Sequence, residues 1–387
     1  MSVGVVICQR CVARQHHDHR QSDEDPLETD NHAEDKRSTL GLRDAAVVAR
    51  QPGERRRYAA DVAEHPMPTR WLQRLEDEFD DDGVGLPADP EFRRLLLEEL
   101  DHCRRVPMFE GRRPTYGAII LPHGRAVDVH RAAVDAVDYD FVPLDDDPAA
   151  GRVYADGRAS FLVRSVDGGI ALACFAGSML MEADLVRLQR KTGAAIIQRT
   201  PILDVVRVAV DETMITWDGR HWHCRPTAMA LTDTLLDRVP ELDRTFANHV
   251  LELAVHWLAP SRIGATIVAH DGEGIDWSSL DTSTSARTPQ LSVCDRRHFS
   301  ALTTVLRQHD LAVIVDPDGS LRKVAVGLRW TPDAEGAVTT DRGMRHRSAQ
   351  RYSHDHPTAT IVVVSEDGPV SVFRGGAIAV TSAAAAP

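Results

Sequence analysis

The sequence predicts an α/β protein of the α+β kind: a C-terminal mixed β-sheet flanked by helices, preceded by a separate α+β domain. Three observations lead there. Short apolar runs of strand length recur between Asp-Gly turns, segments of helical period separate them, and 387 residues at about 150 per domain leave room for two or three cores. A hydrophobic content of 43% with 27% charged residues is that of a globular chain, which excludes wholesale disorder and collagen-like structure. The longest apolar run, Ile170 to Met181, is about a dozen residues against the roughly 20 that a membrane-crossing helix needs, so no span is expected.

Residues 1–66 mix His, Asp, Glu, Arg and Gln with almost no apolar period and read as a disordered tail. In it the apolar stretch precedes the charges rather than following them, unlike a secretory leader, and the expected location is cytoplasmic. Cys8, Cys11, His16, His17 and His19 offer zinc-type ligands, but the Cys-to-His gap is far shorter than a zinc finger's. Order begins at Thr69-Arg-Trp71-Leu72. Asp89 and Pro90 then suit the cap and first turn of a helix whose apolar face is Phe92, Leu95, Leu96, Leu97 and Leu100.

Strand-like runs follow at Tyr116–Pro122, Ser160–Val166, Ile170–Cys174, Ala194–Gln198, Val205–Val210 and Met214–Trp217, with hairpin turns at Asp167-Gly168-Gly169 and Asp218-Gly219. They define an α+β domain over residues 67–240. The run His221-Trp222-His223-Cys224 looks metal-like, yet strand alternation sends the two histidines to one face and the cysteine to the other. A helical pattern from Leu235 to Leu258 opens the second domain, residues 241–376. Strand Gly264–Ala269, helix Asp295–Gln308, strand Leu311–Val315, turn Asp316–Gly319 and strand Leu321–Leu328 come next. Helix Gly343–Tyr352, strand Thr360–Val364 and strand Val370–Phe373 complete it, and residues 377–387 read as a tail.

The formal charge of −13 is uneven: residues 67–254 stand at −10 and residues 255–387 at −1. No basic field of the kind that sequence-independent DNA binding requires is present, which argues against DNA as a partner. Six scattered cysteines without framework spacing are those of free thiols in a reducing compartment.

Three polar groups interrupt the second domain at element edges. Asp310 stands where a helix hands over to a buried strand, a position from which a carboxylate can hold a divalent metal. Arg345, His346 and Arg347 open a helix, combining guanidinium forks with free N–H groups and the positive dipole end, which suits phosphate. The strand 361–364 delivers Ser365, Glu366 and Asp367 at its exit. An acid, a phosphate clamp and a second acidic turn fit a metal–triphosphate site.

In their order and spacing these segments resemble the diadenylate cyclase (DAC) domain, the nucleotide-binding domain also found in the DNA-integrity scanning protein DisA. The family's His-Asp-Gly-Ala motif corresponds to HDLA at 309–312, and its Gly-x-x-Leu hairpin strand to VAVGLRW at 324–330. Its Gly-Thr-Arg-His-Arg motif corresponds to GMRHRSAQ at 343–350, and its Val-Ser-Glu-Glu turn to VVVSEDGPVSVF at 362–373. The likeness runs from about Phe246 to Gly376. Two residues depart from it: Leu311 stands at the family's glycine and Met344 at its threonine.

The resemblance implies condensation of two ATP into cyclic di-AMP with release of two pyrophosphates, across two half-sites of a homodimer or larger homo-oligomer formed through the C-terminal domain. It implies Asp310, Arg345, His346 and Arg347 as catalytic residues. Leu311, Ala312, Leu328, Met344, Arg345, His346, Arg347 and Ser365 are the implied nucleotide contacts, and Asp310, Glu366 and Asp367 the implied ligands of Mg²⁺ or Mn²⁺. The alternative implied by Leu311 and Met344 is a weakened module that binds ATP or cyclic di-AMP and signals without turnover. The upstream domain resembles, in position only, the sensor domains that precede some DAC domains, and reads as regulatory.

Overall fold

The computed structural model describes residues 69–383 except 107, 109–110, 112, 126–131, 135–136, 145–146, 201–204, 271–279, 283–287, 309–310 and 339–342. The tail 1–66, with Cys8, Cys11, His16, His17 and His19, lies outside the described residues.

Two helices come first, α1 (Thr69–Asp81) and α2 (Pro90–Arg105). Asp89 caps α2 by accepting from the Phe92 N–H at 2.7 Å, Pro90 occupies its first turn, and Arg104 and Arg105 sit at its negative dipole end. The first sheet contains β1 (Tyr116–Leu121), β2 (Ala132–Val134), β3 (Val137–Pro143), β4 (Ser160–Ser165), β5 (Ile170–Phe175), β6 (Ala195–Arg199), β7 (Val206–Val210), β8 (Thr213–Trp217) and β9 (Trp222–Pro226). Its strand order is β2-β3-β5-β4-β1-β6-β7-β8-β9, with β1 and β4 parallel and the other neighbours antiparallel. The short helix α3 (Pro148–Arg152) precedes β4, and α4 (Glu182–Thr192) precedes β6. Phe79, Leu96 and Leu100 pack with Ile120, Ile197 and Val208 on one face, while Leu185 and Leu188 pack with Ile119 and Ile196 on the other.

The second domain begins with α5 (Ala228–Arg238), α6 (Arg244–Leu253) and a π-helical turn, Ala254–Leu258. Its sheet is ordered β11-β13-β12-β10-β14-β15-β16, from β10 (Ala265–Ala269), β11 (Leu280–Thr282), β12 (Ala312–Val315), β13 (Leu321–Leu328), β14 (Thr360–Val364), β15 (Val370–Arg374) and β16 (Ala377–Thr381). Between these lie α7 (Phe299–Gln308), α8 (Pro332–Ala337) and α9 (Met344–Asp355). Alternation along the strands splits the core. Ala265, Ile267, Val313 and Val315 face α5, α6 and α7, whereas Val268, Ile314, Ile361 and Val363 face Ala349 and Tyr352 of α9.

Most of the expected elements are present, and the differences have local causes. The helical pattern over 235–258, read as leading through Pro240 to a final helix, is two helices and a π-turn: Pro240 follows the first, and Asp243 caps the second through the Phe246 N–H at 2.7 Å. Ala228, Leu231 and Leu235 of α5 pack into the second core, although the sequence reading leaves residues up to 240 with the first domain. The tail read at 377–387 begins instead with strand β16, which Gly375 and Gly376, at φ 56° and 78°, turn back onto β15. Strands β2 and β11, three residues each, and the six-residue helix α8 are too short to show a period of their own, whereas β3 does alternate, Val137, Tyr139 and Phe141 against Asp138 and Asp140, and like β9 is an addition to the expected strands.

The domains are joined through buried charge. Arg225 at the end of β9 donates to Glu182 at the start of α4 and, at 3.0 Å, to the Val255 carbonyl in the π-turn. Glu182 accepts from His256 Nδ1 at 2.6 Å, and His256 Nε2 accepts the Ala228 N–H at 3.0 Å.

Candidate functional site

The N-terminal ends of the parallel strands β10 and β12 and the exit of the antiparallel strand β14 meet at one end of the second sheet. A cavity of about 670 Å³ opens there, on the face covered by α9, within the range of small-molecule sites. Its wall includes Leu311, Ala312, Leu328, Met344, Arg345, His346, Ser365, Glu366 and Asp367. Residues drawn from four separated sequence segments therefore converge on one volume.

Each segment is held by its own geometry. Helix α9 points its N-terminus, the positive end of its dipole, at the cavity, and its cap residue Gly343 has no side chain with which to cap it. Ser348, one turn in, donates instead to the Met344 carbonyl at 2.9 Å. The His346 ring packs edge-on against Phe373 of β15 at 5.7 Å, which fixes it beside the wall. The turn from β14 to β15 is closed by Gly368 N–H to Ser365 O at 3.0 Å and Ser365 N–H to Pro369 O at 2.9 Å, leaving Glu366 and Asp367 at its tip. Gly368, at φ 112°, supplies the backbone shape that a side chain would resist.

Arg345 lines the cavity and donates from Nη2 to Glu366 Oε1 at 3.1 Å. Arg347 is absent from the cavity lining. Two residues apart on a helix means about 200° of rotation, so Arg345 and Arg347 face different ways. Among the described residues the buried Arg347 Nε has no hydrogen-bond partner. Asp310 and its neighbour His309 lie outside the described residues. Glu366 and Asp367 give the wall two carboxylates, and among the described residues no three His, Cys, Asp or Glu come together.

Several wall residues carry no sequence signal. Thr266 reaches the cavity through the β10 alternation, and Val326, beside the expected Leu328, through a bulge in β13. At that bulge Ala325 adopts φ 54°, a left-handed conformation that costs a residue with a Cβ on the order of 1 kcal/mol. Ser371 and Pro369 complete the floor beside the Ser365 turn. The His221–Cys224 run is not a ligand cluster: His221 pairs with Asp82 at 3.3 Å, His223 with Asp218 at 3.0 Å, and Trp222 is buried against Phe79.

Residues 73–225 match the family model described as the probable sensor domain DACNK. Residues 252–378 match the model described as the DisA bacterial checkpoint controller nucleotide-binding domain, DAC. No curated protein matches the chain. Among solved structures, a hypothetical membrane spanning protein from Bacillus cereus is 22% identical over 38% of this chain and 74% of its own, with a TM-score of 0.28. A double mutant of DacA from Staphylococcus aureus is 22% identical over 39% of this chain and 88% of its own, with a TM-score of 0.25. Among the described residues no helix is long and apolar enough to cross a membrane.

Proposed function

From a chain that joins a DACNK sensor domain to a DAC nucleotide-binding domain, we propose a diadenylate cyclase that condenses two ATP into cyclic di-AMP and releases two pyrophosphates. The observation that carries this reading is the cavity itself. A helix N-terminus bearing Arg345 and His346 and the acidic Ser365–Asp367 turn line one cavity of about 670 Å³, where Arg345 and Glu366 touch at 3.1 Å. Positive donors suit a triphosphate, and the carboxylates beside them suit the cation that accompanies it.

In this reading Arg345 and His346 bind the phosphates and the charge that grows on departing pyrophosphate. Arg347 adds positive charge at the same helix end. Ala312, Leu328 and the exposed side chains of Leu311 and Met344 line the nucleoside part, with Ser365 beside them. Magnesium and manganese take hard oxygen donors and are commonly held by one or two carboxylates plus substrate phosphates, which fits Glu366 and Asp367, with Asp310 as the ligand implied by the family resemblance. The bound ion would neutralise phosphate charge and acidify the attacking hydroxyl. Each 3′-oxygen attacks the other nucleotide's α-phosphorus, its proton is lost, and the bond to pyrophosphate breaks in line. One cavity holds one nucleotide, so two copies must face each other.

Leu311 is 44% exposed and Met344 66% exposed, so both stand at the wall without filling the volume, which favours turnover over binding alone. The test is incubation of the purified chain with ATP and Mn²⁺ or Mg²⁺, with cyclic di-AMP sought by mass spectrometry. Product formation supports the cyclase. Nucleotide binding without product supports the signalling module instead.

A further inference from the structure

Gly264, the residue just before β10, has no conformational reason to be glycine. Its φ lies outside the left-handed region, where side chains are strained. Its reason is space. A Cβ built on Gly264 would overlap the Arg345 guanidinium, meeting Nη1 and, at 2.7 Å, Cζ, and would stand 3.0 Å from Glu366 Cγ. The antiparallel register that pairs Ala265 with Val364 brings Gly264 beside Ser365, at the root of the acidic turn. The Arg345 fork therefore lies against bare backbone on one side, while Glu366 Oε1 holds Nη2 at 3.1 Å.

We infer that Gly264 is a positioning residue of the nucleotide site: its missing side chain is the slot that lays the Arg345 guanidinium in the cavity wall, in the pose that receives the terminal phosphates of ATP. This inference rests on the cyclase reading and adds to it a residue that touches no reacting atom. The Glu366 contact completes the device. A planar fork braced at one edge by a carboxylate and below by backbone is held in one orientation, which a bidentate contact to phosphate requires.

The physics gives the substitution an unusual signature. The group that would clash with a Cβ is the far end of a flexible side chain, so Gly264→Ala displaces Arg345 rather than backbone. Alanine also restricts the unfolded chain, so stability is expected to hold or rise slightly. Phosphate recognition is expected to fall, because displacement by about 1 Å at a site of this kind costs up to 10²-fold.

The experiment measures binding of ATP and of AMP to the full-length chain by calorimetry with Mg²⁺, alongside the melting temperature. For Gly264→Ala the expected result is an unchanged or higher melting temperature, ATP affinity lower by 10-fold or more, and AMP affinity unchanged. In an Arg345→Ala background the same substitution should cost nothing further, since the displaced group is gone. Equal ATP affinity in wild type and Gly264→Ala would overturn the inference and leave the cyclase reading standing. So would equal losses for ATP and AMP, or a full additional loss in the Arg345→Ala background. A wild-type chain that binds no ATP would overturn both.

Discussion

His256 Nδ1 lies 2.6 Å from Glu182 Oε1, and both side chains are buried, one in the π-turn that leads into the second sheet and the other at the start of α4 in the first domain. The Ala228 N–H donates to His256 Nε2, so that nitrogen carries no proton and the ring is the neutral tautomer donating from Nδ1. The negative charge of Glu182 is then balanced by Arg225, which also holds the Val255 carbonyl. A single carboxylate thus ties a strand of the first domain to the helical turn beneath the second sheet.

Burial alone would push the Glu182 carboxyl up, but the Arg225 charge and the His256 bond outweigh it and hold the group at about 2 against an ordinary 4.5. A depressed carboxyl contributes stability that is fully present above the unfolded value and lost as pH falls from about 4.5 towards 2. Glu182→Gln should therefore lower the melting temperature at pH 7, because the half-buried Arg225 is left without this counter-charge. It should also flatten the dependence of stability on pH below 4.5. Denaturant titrations across that range check both expectations. An unchanged acid limb would remove Glu182 from the account.

The two arginines of the RHR segment should differ. Arg345 lines the cavity and Arg347 does not, so Arg345→Ala should weaken ATP binding by 10-fold or more, from loss of a charged donor, with Arg347→Ala the milder change. The double substitution should be weaker than either alone. Calorimetry with ATP separates the three, and a larger loss from Arg347→Ala would place the phosphates on the other side of the helix.

How far the site was legible follows from these same residues. The RHR segment, the Ser365–Asp367 turn and the strands around them are sequence-local, and the cavity is where they meet. The four motifs in order name residues that line it, Asp310 lying outside the described residues. Which way each side chain points was not local. Helix geometry turns Arg347 off the cavity wall, the β13 bulge at Ala325 is marked by no glycine, and Gly264 matters only through Arg345, 81 positions away in the sequence. The interdomain triad was equally hidden, since Glu182, Arg225 and His256 are three ordinary polar residues until the fold brings them together. The edge strand β11 escaped because three residues are too few to show alternation, and β16, Ala377–Thr381, because its small apolar residues run on into the alanine-rich end of the chain.

Leu311 stands half in solvent on the cavity wall, where its removal opens no void in the core. Leu311→Gly should lower stability by no more than about 1 kcal/mol, the backbone cost of glycine. If the leucine crowds the nucleoside, the substitution should raise ATP affinity or cyclic di-AMP synthesis several-fold. A fall in both would mean that the pocket uses leucine as an apolar contact for the base.

Asp310→Asn removes a charge and almost no volume, so synthesis should be lost while the melting temperature is kept, and chelation of the divalent cation should mimic it in the wild type. Normal turnover in the variant would take Asp310 out of the mechanism and leave Glu366 and Asp367 as the acidic contributors.

Two phosphodiester bonds between two nucleotides demand that two loaded cavities meet, so activity should rise more steeply than linearly with protein concentration when the chain is dilute. Charge favours one geometry for that encounter. Residues 255–387 are near neutral at −1 and tolerate a copy of themselves, whereas residues 67–254 at −10 repel theirs and belong at the periphery. A first domain that favours or opposes the paired arrangement would change the population of competent dimer without touching the cavity. Specific activity across a dilution series, with light scattering in parallel, measures this. Strictly monomeric protein with constant specific activity would sink the two-half-site mechanism. A dimer tight enough to survive dilution gives a flat series, and there raised ionic strength, which screens the −10 repulsion, should tighten association further rather than loosen it.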